Sequence, residues 1–474
     1  VSTLRTPGKA VPLPRAVRGT ALWTVGPALA TVVIGLWHLG TPSYWRDEAA
    51  TLDAVTRPFP ALLHMLTTVD AVHGGYYVVL WPVVHVFGTG EIVLRLPSVL
   101  AMAAAAAGIS AIGRRLQSRA TGLLAGLVFA VLPQVSRYAQ EARSYALVLA
   151  CAVLASWLLV RGGTEPRRGL TGYGWAVAAL GTLNLFGLLL LAGHALYLLG
   201  TARSRLRAWA VPAALGCLPA VPIAILAWQQ RDQLGWVAAP DASAGGDLVV
   251  WLAGSSGAAA LMGVLVGLGL RFRGPAWLSL PWLIAPPVLL LLAARLAVPV
   301  YVPRYLAFCL PALALAIGAG LARTAWPHRV IALLLVAALG LPVQLAERGQ
   351  DGHGEDIRAA AQALDQHARP GDGVLYHCPS CHYPDLPREF ASAYPEAFGR
   401  LDDLALDRSP AASGTLRGTE VDPDTLARRV GAANRVWLVE TGGDAVPRNV
   451  RYGRRVAFDE RAGSLRLRLY SRQF

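Results

Sequence analysis

Val330-Ile331-Ala332-Leu333-Leu334-Leu335-Val336-Ala337-Ala338-Leu339-Gly340-Leu341 is the last of a series of apolar runs, and at Glu347 the character of the chain changes. Upstream, comparable runs recur, among them Gly122–Leu132 and Tyr145–Val160. Downstream, the 128 residues from Glu347 to Phe474 read as an ordinary globular sequence. Of 474 residues 54% are hydrophobic and 15% charged, against about 25% charged in a soluble domain. The expected organisation is a polytopic membrane domain over residues 1–346 and a soluble domain over 347–474. A formal net charge of +14 would suggest nucleic acid in a soluble protein. Here, however, the arginines fall in short clusters between apolar runs, as cytoplasmic loops do, so no nucleic-acid partner is expected. Lys9 is the only lysine, which with the Ala, Gly and Leu content suggests a GC-rich, actinobacterial-type genome.

About twenty helical residues cross a bilayer. On that basis eleven spans are expected, near Ala21–Leu39, Glu91–Gly113, Thr121–Val135, Tyr145–Val160, Tyr173–Leu185, Leu188–Gly200, Trp209–Trp228, Leu248–Leu270, Trp277–Leu296, Tyr305–Leu321 and Val330–Leu345. The run Gly74–Phe87 has only 14 residues and reads as an interfacial or re-entrant helix. The first span is read as retained, with its N-terminus cytoplasmic, because no small-residue cleavage site follows it. Alternation then puts 17 basic residues in inside loops and 8 in outside ones. By the positive-inside rule this places the C-terminal domain outside the cytoplasm. One long tilted helix over Tyr173–Gly200 would reverse everything downstream; a hairpin keeps Arg203, Arg205, Arg207, Arg271, Arg273, Arg323 and Arg329 inside.

In the tail an amphipathic Glu355–His367, a helical Leu426–Ala432 and strand-like Gly373–Tyr376, Val436–Glu440 and Leu465–Tyr470 predict a small α/β domain. Cys151, Cys217 and Cys309 lie in expected spans and read as small buried hydrophobes. Cys378 and Cys381, in His377-Cys378-Pro379-Ser380-Cys381-His382, suit a local disulfide on an oxidising face, with a metal site as the alternative reading.

Four constellations fall on the expected outer face. Tyr44-Trp45-Arg46-Asp47-Glu48 sets two carboxylates just beyond the first span, where they are costly near lipid unless used or paired. Asp47 capping the following helix is the structural alternative. Asp70-Ala71-Val72-His73-Gly74-Gly75-Tyr76-Tyr77 leads into the interfacial helix and could bind a sugar or phosphate. In Arg137-Tyr138-Ala139-Gln140-Glu141-Ala142-Arg143-Ser144-Tyr145, helical spacing would pair Arg137 with Glu141 and leave Arg143 free for a phosphate. Tyr301-Val302-Pro303-Arg304-Tyr305 places another Arg beside tyrosines at the mouth of a later span. Each Arg alone reads as a snorkelling anchor. Several from separate loops suit recognition of a membrane-embedded anion such as a polyprenyl phosphate.

These motifs, with Arg95-Leu96-Pro97-Ser98 and the string ending at Ala49, occur in the order seen in GT-C membrane glycosyltransferases. The chain most resembles the actinobacterial branch related to protein O-mannosyltransferases and aminoarabinose transferases, although many relatives carry His-Pro-Pro where His73-Gly74-Gly75 stands. The resemblance implies a multi-pass plasma-membrane enzyme with an α-helical GT-C domain and a small extracytoplasmic α/β domain. It would transfer a sugar, with inversion, from a polyprenyl-monophosphate donor to a hydroxyl acceptor: a glycolipid, a glycan, a protein or a secreted natural product. Mannose is the first expectation and arabinofuranose the second. Asp47 matches the catalytic base, with Glu48 orienting the acceptor or a bound divalent cation. Arg143 and Arg304 match groups holding the leaving phosphate, with Arg137, Tyr138 and Tyr305 beside the donor. His73, Asp70, Tyr77 and Glu141 are assigned to the acceptor. A polyprenyl-diphosphate-dependent glycan ligase would also need outer-face arginines, but the adjacent Asp-Glu pair favours the monophosphate class. A transporter would need carboxylates within its spans, and here the span middles nearly lack them.

Overall fold

The structure, a computed structural model, describes residues 15–162, 166–271, 273–378, 387–441 and 446–472, with backbone only at 15–22, 166–169, 273 and 448–449. The helices run α1 Arg15–Leu36, α2 Arg46–Val55, α3 Phe59–Thr68, α4 Gly74–Phe87, α5 Glu91–Leu116, α6 Arg119–Val131, α7 Pro133–Ala139, α8 Tyr145–Arg161 and α9 Pro166–Leu183. They continue with α10 Leu190–Thr201, α11 Leu206–Cys217, α12 Ala220–Gln229, α13 Ala244–Ala253, α14 Ser256–Gly269, α15 Arg273–Leu296, α16 Leu310–Leu321, α17 Trp326–Ala346 and, beyond the bundle, α18 Ile357–His367.

Every residue of α16 is buried. Its small residues permit this: a Cβ at Gly318 would meet the backbone of Ala125 in α6, and one at Gly269 in α14 would meet the Ala316 carbonyl. Such close approach supplies the dispersion contact that holds helices together in lipid, where no hydrophobic drive remains.

The span count differs from the eleven expected. Among the described residues four helices are long and apolar enough to cross unaided: Glu91–Leu116, Gly274–Leu296, Pro303–Leu321 and Trp326–Ala346. Three pairs bent by 66°, 53° and 87° raise the number to seven. Apolar run length does not reveal a break inside the run. At the first bend Pro133 forces Leu132 out of helical geometry (ψ 129°). At the third, Gly254 takes a left-handed φ of 90° and Ser255 caps the next helix. Trp23–Leu36, Ala71–Phe87, Tyr145–Arg161 and Leu185–Thr201 are shorter apolar helices.

The segment Tyr173–Gly200 is a hairpin. The end of α9 reaches α4, where Gly75 packs on the Thr182 carbonyl. The helix then breaks at Asn184, whose side chain accepts the Phe186 N–H. After α10 returns, Arg205 donates to the Leu159 carbonyl at 3.2 Å. At that same end Gly274 meets the Leu116 carbonyl, Gly200 meets Trp277 and Gln117 reaches Ala319. Among the described residues, the basic loops near 114–119, 161, 203–207, 271 and 323 therefore share one end of the bundle.

The small domain sits at the opposite end. It holds β1 Gly373–His377, β2 Asp402–Asp403, β3 Leu406–Arg408, β4 Thr419–Glu420, β5 Arg435–Glu440, β6 Arg455–Ala462 and β7 Leu465–Ser471. A five-stranded sheet of order β2-β1-β5-β7-β6 is parallel across its first three strands and antiparallel across the rest, and β3 and β4 form a separate ribbon. Trp437 and Leu467 lie in its core, and Asp372 receives the Trp437 indole N–H at 3.0 Å. Arg57 and Thr68 donate to the carbonyls of Thr415 and Gly414, and Asp53 accepts from Ser392 at 3.1 Å, which seats the domain on α2 and α3.

Candidate active site

Asp47 and Glu48 are neighbours in the first turn of α2, and helical geometry turns them about 100° apart. Glu48 points into the protein. Fully buried, it accepts from Arg95 Nε at 2.8 Å and Nη2 at 2.6 Å and from the Ala142 N–H at 2.8 Å. The same guanidinium donates to the carbonyls of Leu39, Pro42 and Ser43, which fixes the loop leading into α2. The sequence offers Arg95 as part of the motif Arg95–Ser98 without a role in the site. Its signal was there: a cation inside the apolar run Glu91–Gly113 must find a counter-charge.

Asp47 points the other way and does not cap the helix. Its Oδ2 is buried without a hydrogen-bond partner, 3.7 Å from Arg304 Nη2 and 3.8 Å from Arg143 Nη2. Burial alone would raise its carboxyl, but Arg143, Arg304, His73 and Arg46 outweigh that, so it is held below the ordinary value.

Arg143 is locked in place. Nη1 contacts the Asp47 carbonyl, Thr51 Oγ1 and Tyr77 OH, each at 3.3 Å, and Nη2 lies 2.9 Å from His73 Nε2. Because Arg only donates, His73 Nε2 accepts. Tyr77 donates its hydroxyl hydrogen bond to Asp70 Oδ2, and Asp70 adopts a left-handed φ of 61°. Arg304 spreads over the Trp236 ring at 5.4 Å, and Tyr305 stacks on Phe186 at 5.1 Å. The Nε atoms of both arginines are buried and hydrogen-bond nothing. A cavity of about 270 Å³ opens beside His73 and Tyr305, lined also by the polar side chains of Asn184, Gln230, Arg231 and Gln233 and by Phe186 and other apolar groups. A second, wholly apolar groove of about 640 Å³ runs between α10 and α15 along Ala192, Leu196, Pro281 and Val288.

The structure thus brings together Asp47, Asp70, His73, Tyr77, Arg143, Arg304 and Tyr305. The remaining sequence-chosen residues stand apart. Arg137 lies 3.4 Å from Glu141 and 2.5 Å from Glu347 and covers the Trp45 ring, so carboxylates occupy it where a phosphate was expected. Residues 133–145 are not one helix: α7 ends at Ala139, and the pair to Glu141 spans the turn that follows. Tyr138 packs against Tyr145 and Trp251. Glu141 is buried with neither carboxylate oxygen hydrogen-bonded; burial, opposed by Arg137, raises its carboxyl to about 7. The divalent cation expected near Asp47 and Glu48 finds no donor set. The two carboxylates diverge, Arg95 takes Glu48, and among the described residues no three of His, Cys, Asp or Glu converge on a point. Cys378 is disulfide-bonded, while Cys381 falls outside the described residues.

Residues 75–228, about a third of the chain, match the family described as dolichyl-phosphate-mannose-protein mannosyltransferase. ArnT from Cupriavidus metallidurans in the apo state superposes with a TM-score of 0.64 at 13% identity, over 96% of this chain and 98% of that one. This chain therefore has an ArnT-like fold. The undecaprenyl-phosphate-bound form of ArnT matches this chain with a TM-score of 0.62 at 13% identity, over 95% of it and 98% of ArnT. The archaeal oligosaccharyltransferase AglB from Archaeoglobus fulgidus, in complex with an inhibitory peptide and a dolichol-phosphate, matches at 0.52 with 10% identity, covering 90% and 70% of the two chains. No curated protein sequence matches.

Proposed function

We propose that this protein is a multi-pass membrane glycosyltransferase that moves a sugar, mannose first, from a polyprenyl monophosphate to a hydroxyl acceptor on the extracytoplasmic face of the plasma membrane. The observation that carries the reading is one buried carboxylate, Asp47, held between two arginines from separate segments, Arg143 and Arg304, within a GT-C fold.

The chemistry follows from charge. As the acceptor oxygen attacks the anomeric carbon from the face opposite the phosphate, Asp47 takes its proton and configuration inverts. Negative charge gathers on the departing phosphate, where Arg143 and Arg304 stabilise it with donors already oriented by Thr51, Tyr77, His73 and Trp236. The apolar groove between α10 and α15 suits isoprene units, and the cavity beside His73 and Tyr305 suits the head of the lipid. Mannose is favoured by the description of the matching family. The extracytoplasmic orientation rests on the excess of basic residues at the far end of the bundle.

The test is a donor comparison in purified protein reconstituted in lipid. Labelled polyprenyl-phosphate mannose should be consumed, polyprenyl-phosphate arabinofuranose less readily and polyprenyl-diphosphate sugars not at all. Consumption of the diphosphate donors alone would overturn the reading.

A further inference from the structure

The helix that carries Asp47 has no local cap. Its N-cap residue is Trp45, extended at φ −116° and ψ 174° and without a side-chain oxygen. The first orphan N–H of α2, on Arg46, therefore needs an acceptor from elsewhere. Glu355 supplies it: Oε2 lies 2.8 Å from the Arg46 nitrogen, 309 residues along the chain. The other carboxylate oxygen lies 3.8 Å from Arg46 Nε, so one side chain engages both the backbone and the guanidinium of the residue next to Asp47. A carboxylate there also opposes the positive end of the helix dipole.

Glu355 is itself held from both sides. Below it, the turn between β6 and β7 grips the connector: Glu355 bridges to Gly463, Ser464 N donates to the Gly354 carbonyl at 2.8 Å and Asp356 N to the Ala462 carbonyl at 3.3 Å. Gly463 sits at φ 63°, and a Cβ there would lie 2.6 Å from the Gly354 oxygen. Beyond it, Arg358 donates its backbone N–H to Ser43 Oγ at 2.9 Å and its guanidinium to the Thr41 carbonyl at 3.0 Å and to Glu91 at 2.7 Å, tying the loop before α2 to the same connector. An unbroken set of contacts thus runs from the β6–β7 turn through Glu355 to the turn that bears Asp47.

We propose that Glu355 is a positioning residue: it aims Asp47 by capping α2 from the C-terminal domain, so the seating of that domain on the bundle is a condition for sugar transfer. This rests on the reading of Asp47 as the base. Misplacement of a reacting group by about 1 Å can cost about 100-fold, while Arg143 keeps its contacts to Tyr77 and His73 and Arg304 its place over Trp236, none of which belongs to α2.

The experiment uses the full chain in lipid with polyprenyl-phosphate mannose and an acceptor extract from the source membrane. Glu355→Ala should lower kcat about 10- to 100-fold and leave the donor KM within about twofold. Glu355→Gln, which keeps an acceptor oxygen for the Arg46 N–H, should recover most of the loss. Gly463→Ala should lower kcat in the same sense from the far end of the contact set. It also carries the test alone, since Glu355 is intact in it, should Glu355→Ala fail to fold. Wild-type kcat in the folded Glu355→Ala or Gly463→Ala protein overturns the proposal, as does an equal rise of donor KM or no recovery with Gln. Asp47→Asn is run alongside. Full turnover in that variant sinks the assignment of the base, whereas lost turnover there with normal Glu355→Ala sinks the capping proposal alone.

Discussion

Asp47→Asn keeps the shape of the side chain and removes its charge, and the site geometry makes binding and turnover respond with opposite signs. Oδ2 lies 3.7 Å from Arg304 and 3.8 Å from Arg143. A pair of unit charges about 4 Å apart interacts by roughly 4 kcal/mol at an effective dielectric constant of 20. The figure shrinks here because Arg304 keeps 26% of its side-chain exposure. In the wild-type protein Asp47 competes with the donor phosphate for both guanidiniums. In the variant that competition is gone, so affinity for a polyprenyl phosphate should rise. Transfer should fall, because a positioned base contributes ~10²–10⁴-fold, or about 3–5 kcal/mol of barrier at 1.36 kcal/mol per decade. The pH response follows from the lowered carboxyl: the base is already ionised at neutral pH, and the wild-type rate declines only as pH drops through that depressed value. The variant should show no such acid limb. Donor affinity is read by titration with a fluorescent polyprenyl phosphate and turnover by release of labelled sugar. Wild-type turnover, or weakened donor binding in step with lost turnover, would refute the reasoning.

Other perturbations test the frame around the site. Arg95→Met leaves Glu48 charged and unpaired in the interior and strips the donor from three loop carbonyls. It should cost about 3–5 kcal/mol, seen as loss of folded protein or a large fall in unfolding temperature in detergent; a wild-type unfolding curve would contradict it. Gly75→Ala drives a Cβ into the Thr182 carbonyl and should prevent α4 from crossing α9, whereas Gly90→Ala meets nothing within 4 Å and should be tolerated. Equal expression and monodispersity of the two would argue against that crossing. Glu141 titrates near 7 in the fold and near 4.5 when exposed, so the native state keeps a proton that the unfolded chain has lost. Stability therefore falls as pH rises through that window. Glu141→Gln should leave the unfolding temperature unchanged at the acid end and raise it at pH 8; a pH-independent difference would count against the burial of that carboxyl.

Much of the site was legible because charge is conspicuous in an apolar chain. Asp47, Arg143 and Arg304 stand out for that reason, and the structure places both arginines within 4 Å of Asp47. The same criterion does not find every partner. Arg137 pairs with Glu141, as its spacing suggests, but Glu347, 210 residues away, also holds it. Glu48 looks as exposed as Asp47, yet the step of about 100° between them on the same turn carries it to Arg95. The bends at Leu132 and Gly254 split two apolar runs that hydropathy counts as whole.

Sequence by itself determined the partition of this protein. Apolar runs, short arginine clusters and a polar tail separate a helical bundle from a small sheet domain, because transfer free energy depends on each segment's own composition. Tertiary structure alone decided the pairing of charges, the breaks inside apolar runs and the acceptor that caps α2. These depend on which groups the fold brings within about 4 Å across hundreds of residues. A carboxylate carries the same charge whether it will meet Arg95, as Glu48 does, a pair of arginines, as Asp47 does, or a bare helix N-terminus, as Glu355 does.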